Sequence, residues 1–174
     1  MTPTFERFTR ELVAIVKAKG TSGLSDIADS LKPLLRDTEF AAVAFVDPTV
    51  RKRVLFHDEE TDVYVLAHIH EAGKRGRPHS HGASWAVYGN VAGVTEMTEW
   101  RRVNPADEPH AVLDASSHYP LAPGDSRAYP PHLIHSTAHP EHARVIRITG
   151  TDLDHIPRYG FDAAHDKIVA SAAS

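Results

Sequence analysis

The chain has 174 residues, 41% hydrophobic and 24% charged, a composition that fits one globular domain. A net charge of -4 leaves no basic footprint for nucleic acid, and the lack of cysteine excludes disulfides, thiolate zinc sites and a cysteine nucleophile. No apolar run approaches the ~20 residues of a membrane-spanning helix, so no membrane partner is expected. Met1 to Arg7 has no basic stretch leading into an apolar core. No signal peptide is therefore expected, and a reducing cytoplasm is the expected location.

Residues 4–19 predict an amphipathic helix, because Phe5, Phe8, Leu12, Ile15 and Val16 recur at helical spacing and Gly20 follows as a stop. A second helix is expected from Ser22 or Ser25 as N-cap, with Leu24, Ile27, Ala28, Leu31, Leu34 and Leu35 on one face. Pro33 predicts a kink in it, or a break between two short helices. From about residue 40 the pattern changes to short segments rich in Val, Tyr, Thr and Trp between turn clusters. Strands are expected at 41–46, 50–57, 62–69, 83–89, 92–103, 110–114, 126–129, 133–138 and 143–149. Asp47-Pro48, Gly89-Asn90, Asn104-Pro105, Pro123-Gly124-Asp125 and Pro130-Pro131 supply the turns. That many short strands indicate a mainly β, double-sheet jelly-roll barrel. Residues 1–38 are expected to form a helical segment packed on the barrel. Residues 39–174 would be the barrel itself, with an irregular tail from Gly150 ending in an Ala/Ser-rich stretch, and the whole would be a single domain.

Thirteen histidines stand out in this composition. His110, His118, His139, His142 and His165 sit in polar, loop-like sequence and are expected to be solvated. His79 and His81 are different. Residues i and i+2 of a strand point to one face, so the His79-Ser80-His81 pair projects two imidazoles into one space. Neutral imidazole is the commonest side-chain metal ligand. Further along, Pro123-Gly124-Asp125 precedes a short strand and then His132 and His135. His132 and His135 differ in strand register. Glu96 would reach a metal only if its strand turns inward, and is otherwise a solvated or hydrogen-bonding residue. Trp85, Trp100 and Tyr88 read as barrel core or pocket lining.

These pieces carry a resemblance over roughly residues 50 to 160: the His79-Ser80-His81 pair with its following strand, the Gly93…Glu96 turn, His135 after Pro123-Gly124-Asp125, the upstream Arg53, and the strand end Ile148-Thr149-Gly150-Thr151-Asp152-Leu153. The chain resembles a cupin. Among cupins it is most similar to the cysteine dioxygenase and 3-mercaptopropionate dioxygenase group of thiol dioxygenases. The resemblance implies one iron(II) ion held by His79, His81 and His135, with O2 as co-substrate and Arg53 on a substrate carboxylate; zinc or nickel are alternative occupants. Many cupins add a glutamate shortly after the His-x-His, but those positions here are Trp85, Ala86 and Val87. The group's Ser-His-Tyr relay falls on Val145, Arg147 and Thr149, and its crosslinking cysteine falls near Ala86. None of these has the expected side chain. Arg147, a fixed cation, is then a second candidate for binding an anionic substrate, and Tyr88 or Tyr159 is a candidate for the missing hydroxyl.

The function expected is an iron(II)-dependent dioxygenase acting on a small chelating substrate that carries a carboxylate. The alternatives are a three-histidine oxygenase that cleaves a dicarbonyl or hydroxyketone, and a non-catalytic metal-bound sensor. The expected partners are a small-molecule substrate and, for assembly, a second copy in a homodimer.

Overall fold

The computed structural model describes residues 1–162 and 167–171; His165 and the last three residues of the Ala/Ser-rich stretch lie outside the described residues. Helix α1, Pro3–Lys19, starts where Thr2 Oγ1 accepts from the Phe5 N–H, with proline in its first turn. It buries Phe5, Phe8 and Leu12. A 3-10 turn over Gly20–Gly23 leads into α2, Leu24–Leu35. Neither Ser22 nor Ser25 caps α2: Gly23 holds that position without a side-chain bond, because the 3-10 turn sets the entry. Pro33 lies near the C-terminal end of α2 without breaking it in two. Its missing N–H falls where only the last turn is affected.

The strand expected at 41–46 is instead largely helical. Helix α3, Thr38–Ala44, is nucleated by Asp37, whose carboxylate accepts from the backbone N–H groups of Glu39 and Phe40. Phe40 then stacks on Phe5 at 5.3 Å, burying the apolar run against α1. The apolar run fits either structure locally, and the cap and this contact decide for helix. The helical part therefore extends to Ala44.

Two antiparallel sheets follow. The first holds β1 (Lys52–Asp58), β2 (Val63–His70), β5 (Ala86–Ala92), β8 (Ser126–Tyr129) and β10 (Ala143–Thr149), in the order β1-β2-β10-β5-β8. The second holds β4 (His79–Ser80), β6 (Thr95–Arg102), β7 (Leu113–Leu121), β9 (Ile134–His139), β11 (Arg158–Asp162) and β12 (Lys167–Ser171), in the order β12-β11-β4-β9-β6-β7. Strand β3 (Lys74–Arg75) pairs with β9. The result is a mainly β, double-sheet jelly-roll barrel with N-terminal helices.

The central strands of the first sheet are buried on both faces, while the edge strand β1 is largely exposed. Val63, Val65, Ala67, Val87, Ile146 and Ile148 pack against the helices. Ala86, Tyr88, Tyr129 and Val145 face the second sheet, where they meet Met97 and Leu121. Alternation along each strand assigns the two faces. On β2 it turns Val63, Val65 and Ala67 toward the helices and His68 and His70 into the barrel.

The tail from Gly150 is not irregular throughout. Strand β11 pairs with β4, setting Tyr159 opposite Ser80 and Gly160 opposite His79, and the Phe161 N–H donates to the Pro78 carbonyl at 2.8 Å. Strand β4 has only two residues, and β11 satisfies the edge that β9 leaves open. Strand β7 is also longer than the expected 110–114, and β5 and β6 start later than expected. Among the described residues no helix is long and apolar enough to cross a membrane.

Gly93 turns the chain from β5 into β6 with φ +69°, and a Cβ there would lie 2.1 Å from the His142 carbonyl oxygen. Both the conformation and the contact with backbone exclude a side chain. Gly93→Ala is expected to lower unfolding free energy by roughly 2–4 kcal/mol, read from the urea midpoint. An unchanged midpoint would refute the packing argument.

Candidate metal centre

Strands β4 and β9 bring the histidines together. His79 and His135 are direct cross-strand partners, and their rings lie 4.6 Å apart. His81 follows β4 and completes the group, with ring centroids 5.3 Å from His79 and 4.8 Å from His135. The chain turns immediately afterwards at Gly82, which has φ +59° and lies so close to the Pro157 carbonyl that a Cβ would sit 2.7 Å from its oxygen. One nitrogen from each of His79, His81 and His135 lies within 4.8 Å of the others, a group that could hold a metal ion. Metal–nitrogen bonds of about 2.1 Å need nitrogens roughly 3 Å apart at adjacent positions, so the three rings would draw together around an ion.

The donors have the chemistry of a metal site. His79 Nδ1 lies 3.0 Å from the Arg77 carbonyl. A carbonyl can only accept, so Nδ1 carries the proton and Nε2 keeps its lone pair. His135 is fully buried, and neither ring nitrogen has a hydrogen bond of ordinary geometry. Burial, and then the neighbouring His79, push its pKa down to about 3, only partly offset by the Leu133 backbone. A neutral, buried imidazole whose hydrogen bonds are this poor is costly unless something ligates it. The Tyr88 hydroxyl lies 3.3 Å from His81 Nε2.

Behind His135 stands a phenol pair. The Tyr129 ring is 4.8 Å from that of His135, and its hydroxyl is 3.0 Å from that of Tyr119. Tyr119 donates to Glu99 at 2.5 Å, and Glu99 also pairs with Arg127 at 3.2 Å. Burial and the Glu99 bond push Tyr119 up to about 12, while burial and the bond to Tyr119 raise Tyr129. Both phenols stay protonated and hold the wall of the site in place. Nothing in the sequence pattern singled them out, because the contact joins β6, β7 and β8.

A cavity of about 170 Å³ opens beside the histidine group, lined by His79, Tyr88 and Arg147 and also by His68, His70, His139, Thr95, Thr137 and Val145. Of the candidates in the sequence, Tyr88 and Arg147 thus reach the site. Tyr159 does not, since its side chain is 49% exposed. The structure does not bring Arg53 to the histidines. It lies opposite Ala67, on the helix-facing side of the first sheet, where its guanidinium donates to the Val43 carbonyl at 3.0 Å. Strand parity decides this: a residue beside Ala67 cannot face the barrel interior.

His132 lies outside the group as well. It is exposed, has φ +65° in the turn before β9, and donates its backbone N–H to the Gly82 carbonyl. Glu96 points to the outer face, where it pairs with His118 at 3.0 Å. His110, His118 and His142 are exposed as expected, but His139 is 97% buried by strand parity with His135. The sequence did contain a signal for the missed residues. His68-Ile69-His70 is a second His-x-His, on an expected strand.

No family model matches the chain, and no curated protein matches it. Solved structures with a similar backbone include KdgF from Halomonas sp., at 19% identity and TM-score 0.46, covering 64% of this chain and 89% of that one. A cupin superfamily protein from Desulfitobacterium hafniense matches at 16% identity and TM-score 0.43, covering 58% and 76%. The cupin domain of Cnp3 from Schizosaccharomyces pombe matches at 15% identity and TM-score 0.45, covering 60% and 66%. The strand order and the histidine group define a double-sheet jelly-roll barrel with a candidate three-histidine metal centre.

Proposed function

We propose that the chain is a mononuclear non-haem iron(II) dioxygenase, similar to thiol dioxygenases, that adds O2 to a small chelating substrate bearing a carboxylate. The observation that carries this reading is the convergence of His79, His81 and His135 beside a cavity that also receives Tyr88 and Arg147. Three neutral donors without a carboxylate would hold the ion on one face. Bound there, iron(II) would supply open coordination positions and the electrons that activate O2.

The chain's own residues provide the rest. The Arg77 carbonyl fixes the His79 tautomer. The Tyr88 hydroxyl, beside His81, is placed to donate a hydrogen bond into the cavity. Arg147 offers a permanent charge for an anionic group. The apolar flank from Val145 limits water on that side.

A second reading is favoured by Val145, Arg147 and Thr149 at the positions of the thiol dioxygenase relay. It is a three-histidine oxygenase cleaving a C–C bond of a dicarbonyl or hydroxyketone. Anaerobic iron(II) loading followed by oxygen-uptake assays separates the two. Uptake with cysteine or 3-mercaptopropionate and formation of a sulfinate is the expected result. Uptake with acetylacetone alone transfers the assignment to C–C cleavage. Stoichiometric metal with no uptake from either class makes the protein a metal-bound binding module and ends both enzymatic readings.

A further inference from the structure

The cavity has a second group of histidines that the metal centre does not use. His68 and His70 come from β2 and His139 from β9. The His70 and His139 rings stack 3.9 Å apart and nearly parallel, and His68 lies 5.9 Å from His70. Thr95 Oγ1, itself held by Asn90, approaches His139 Nδ1 at 3.4 Å. His68 Nε2, His70 Nδ1, His139 Nε2 and Arg147 Nε are all buried without a hydrogen-bond partner. Four orphaned nitrogens lining one small cavity are far from the usual satisfaction of buried polar groups, and they call for a ligand.

Charge decides which kind of ligand. Among the described residues, the charged side chains acting on His68, His70 and His139 are Arg147, Lys52 and Lys74, all cationic. Arg147 Nε is one of the four orphaned atoms, and a guanidinium can only donate, so it cannot ligate a metal and calls for an acceptor. An oxyanion would be attracted by Arg147 and would accept N–H bonds from it and from neutral imidazoles. We infer that His68, His70, His139 and Arg147 form an oxyanion-binding subsite beside the metal centre. At about 170 Å³ the cavity is smaller than the ~300–1,000 Å³ of ordinary ligand sites. Its occupant is therefore a compact oxyanion, or the oxyanion end of a short molecule. The anion site stands on the cavity alone; its use for the end of a substrate remote from the metal rests on the proposed metal-dependent reaction.

The test uses the metal-free full chain, 15N-labelled at histidine, titrated with acetate and, separately, with inorganic phosphate at constant ionic strength. Saturable movement of the His68, His70 and His139 ring resonances is expected. Tighter acetate binding identifies a planar carboxylate site, and tighter phosphate binding a tetrahedral one. Arg147→Met is expected to weaken binding at least about tenfold, the scale of a lost charge-assisted hydrogen bond, with Arg147→Lys recovering part of it. Cobalt(II) loading of the same variants, read by visible absorption, shows whether fold and metal centre survive. Anion binding without cobalt binding would end the metal reading and leave the subsite intact. Ring resonances that stay still with both anions would overturn the subsite, as would an affinity unchanged in Arg147→Met. So would zinc(II) taken up by these three histidines in a His79→Ala/His81→Ala background.

Discussion

His135→Leu is expected to stabilise the metal-free protein while abolishing its response to metal. The wild-type side chain is fully buried with both ring nitrogens lacking ordinary hydrogen bonds. Leaving such a group unsatisfied costs about 1–3 kcal/mol. Leucine fills similar space without that cost. In a chain of this size the gain corresponds to a rise in Tm of about 2–4 °C per kcal/mol. The same substitution removes one of three ligands, so metal affinity should fall further than the ~10–100-fold lost when only an outer-shell partner is removed. Thermal melts with and without cobalt(II) read both effects. A variant that melts lower than wild type without metal, and whose melt still rises with cobalt(II), would show that His135 is a packing residue and not a ligand.

Stability is expected to fall steeply as pH drops from neutral toward about 5. Burial, with Arg147 next, pushes His68 down to about 2. Burial, with His139 next, pushes His70 down to about 3, and burial with Lys74 pushes His139 down to about 4. In the unfolded chain these groups titrate near 6.5. Below that value the unfolded state takes up protons that the folded state refuses. The stability they contribute is complete above the unfolded pKa and is lost as pH falls toward the folded values. One histidine held fully neutral contributes a slope of about 1.4 kcal/mol per pH unit. His68 is expected to approach that limit, and His70 and His139, whose pKa values are lowered less, to fall below it. Urea unfolding at a series of pH values gives the slope, and His68→Gln should reduce it by close to one proton. A flat profile between neutral pH and about 5 would mean that these imidazoles are solvated.

The sequence by itself determined the mainly β architecture and pointed to the candidate ligand group. Alternation and turn chemistry are local, so the barrel and the His79-Ser80-His81 pair could be read directly, and parity along one strand separated His135 from His132. Amphipathic spacing likewise fixed α1 and α2. What the sequence left undecided depends on contacts between distant segments. The 41–46 run became helical through the Asp37 cap and the stacking of Phe40 on Phe5. The tail became a strand because the two-residue β4 needed a second neighbour. Arg53 and Arg147 look equivalent in sequence as anion contacts. Only the pairing of Arg53 with Ala67, and of β10 between β2 and β5, sends one to the helices and the other to the cavity. His68 and His70 share one strand face, but His139 joins them only when the two sheets close. A cavity is a property of the surfaces that face each other across it, and no single stretch of chain encodes both.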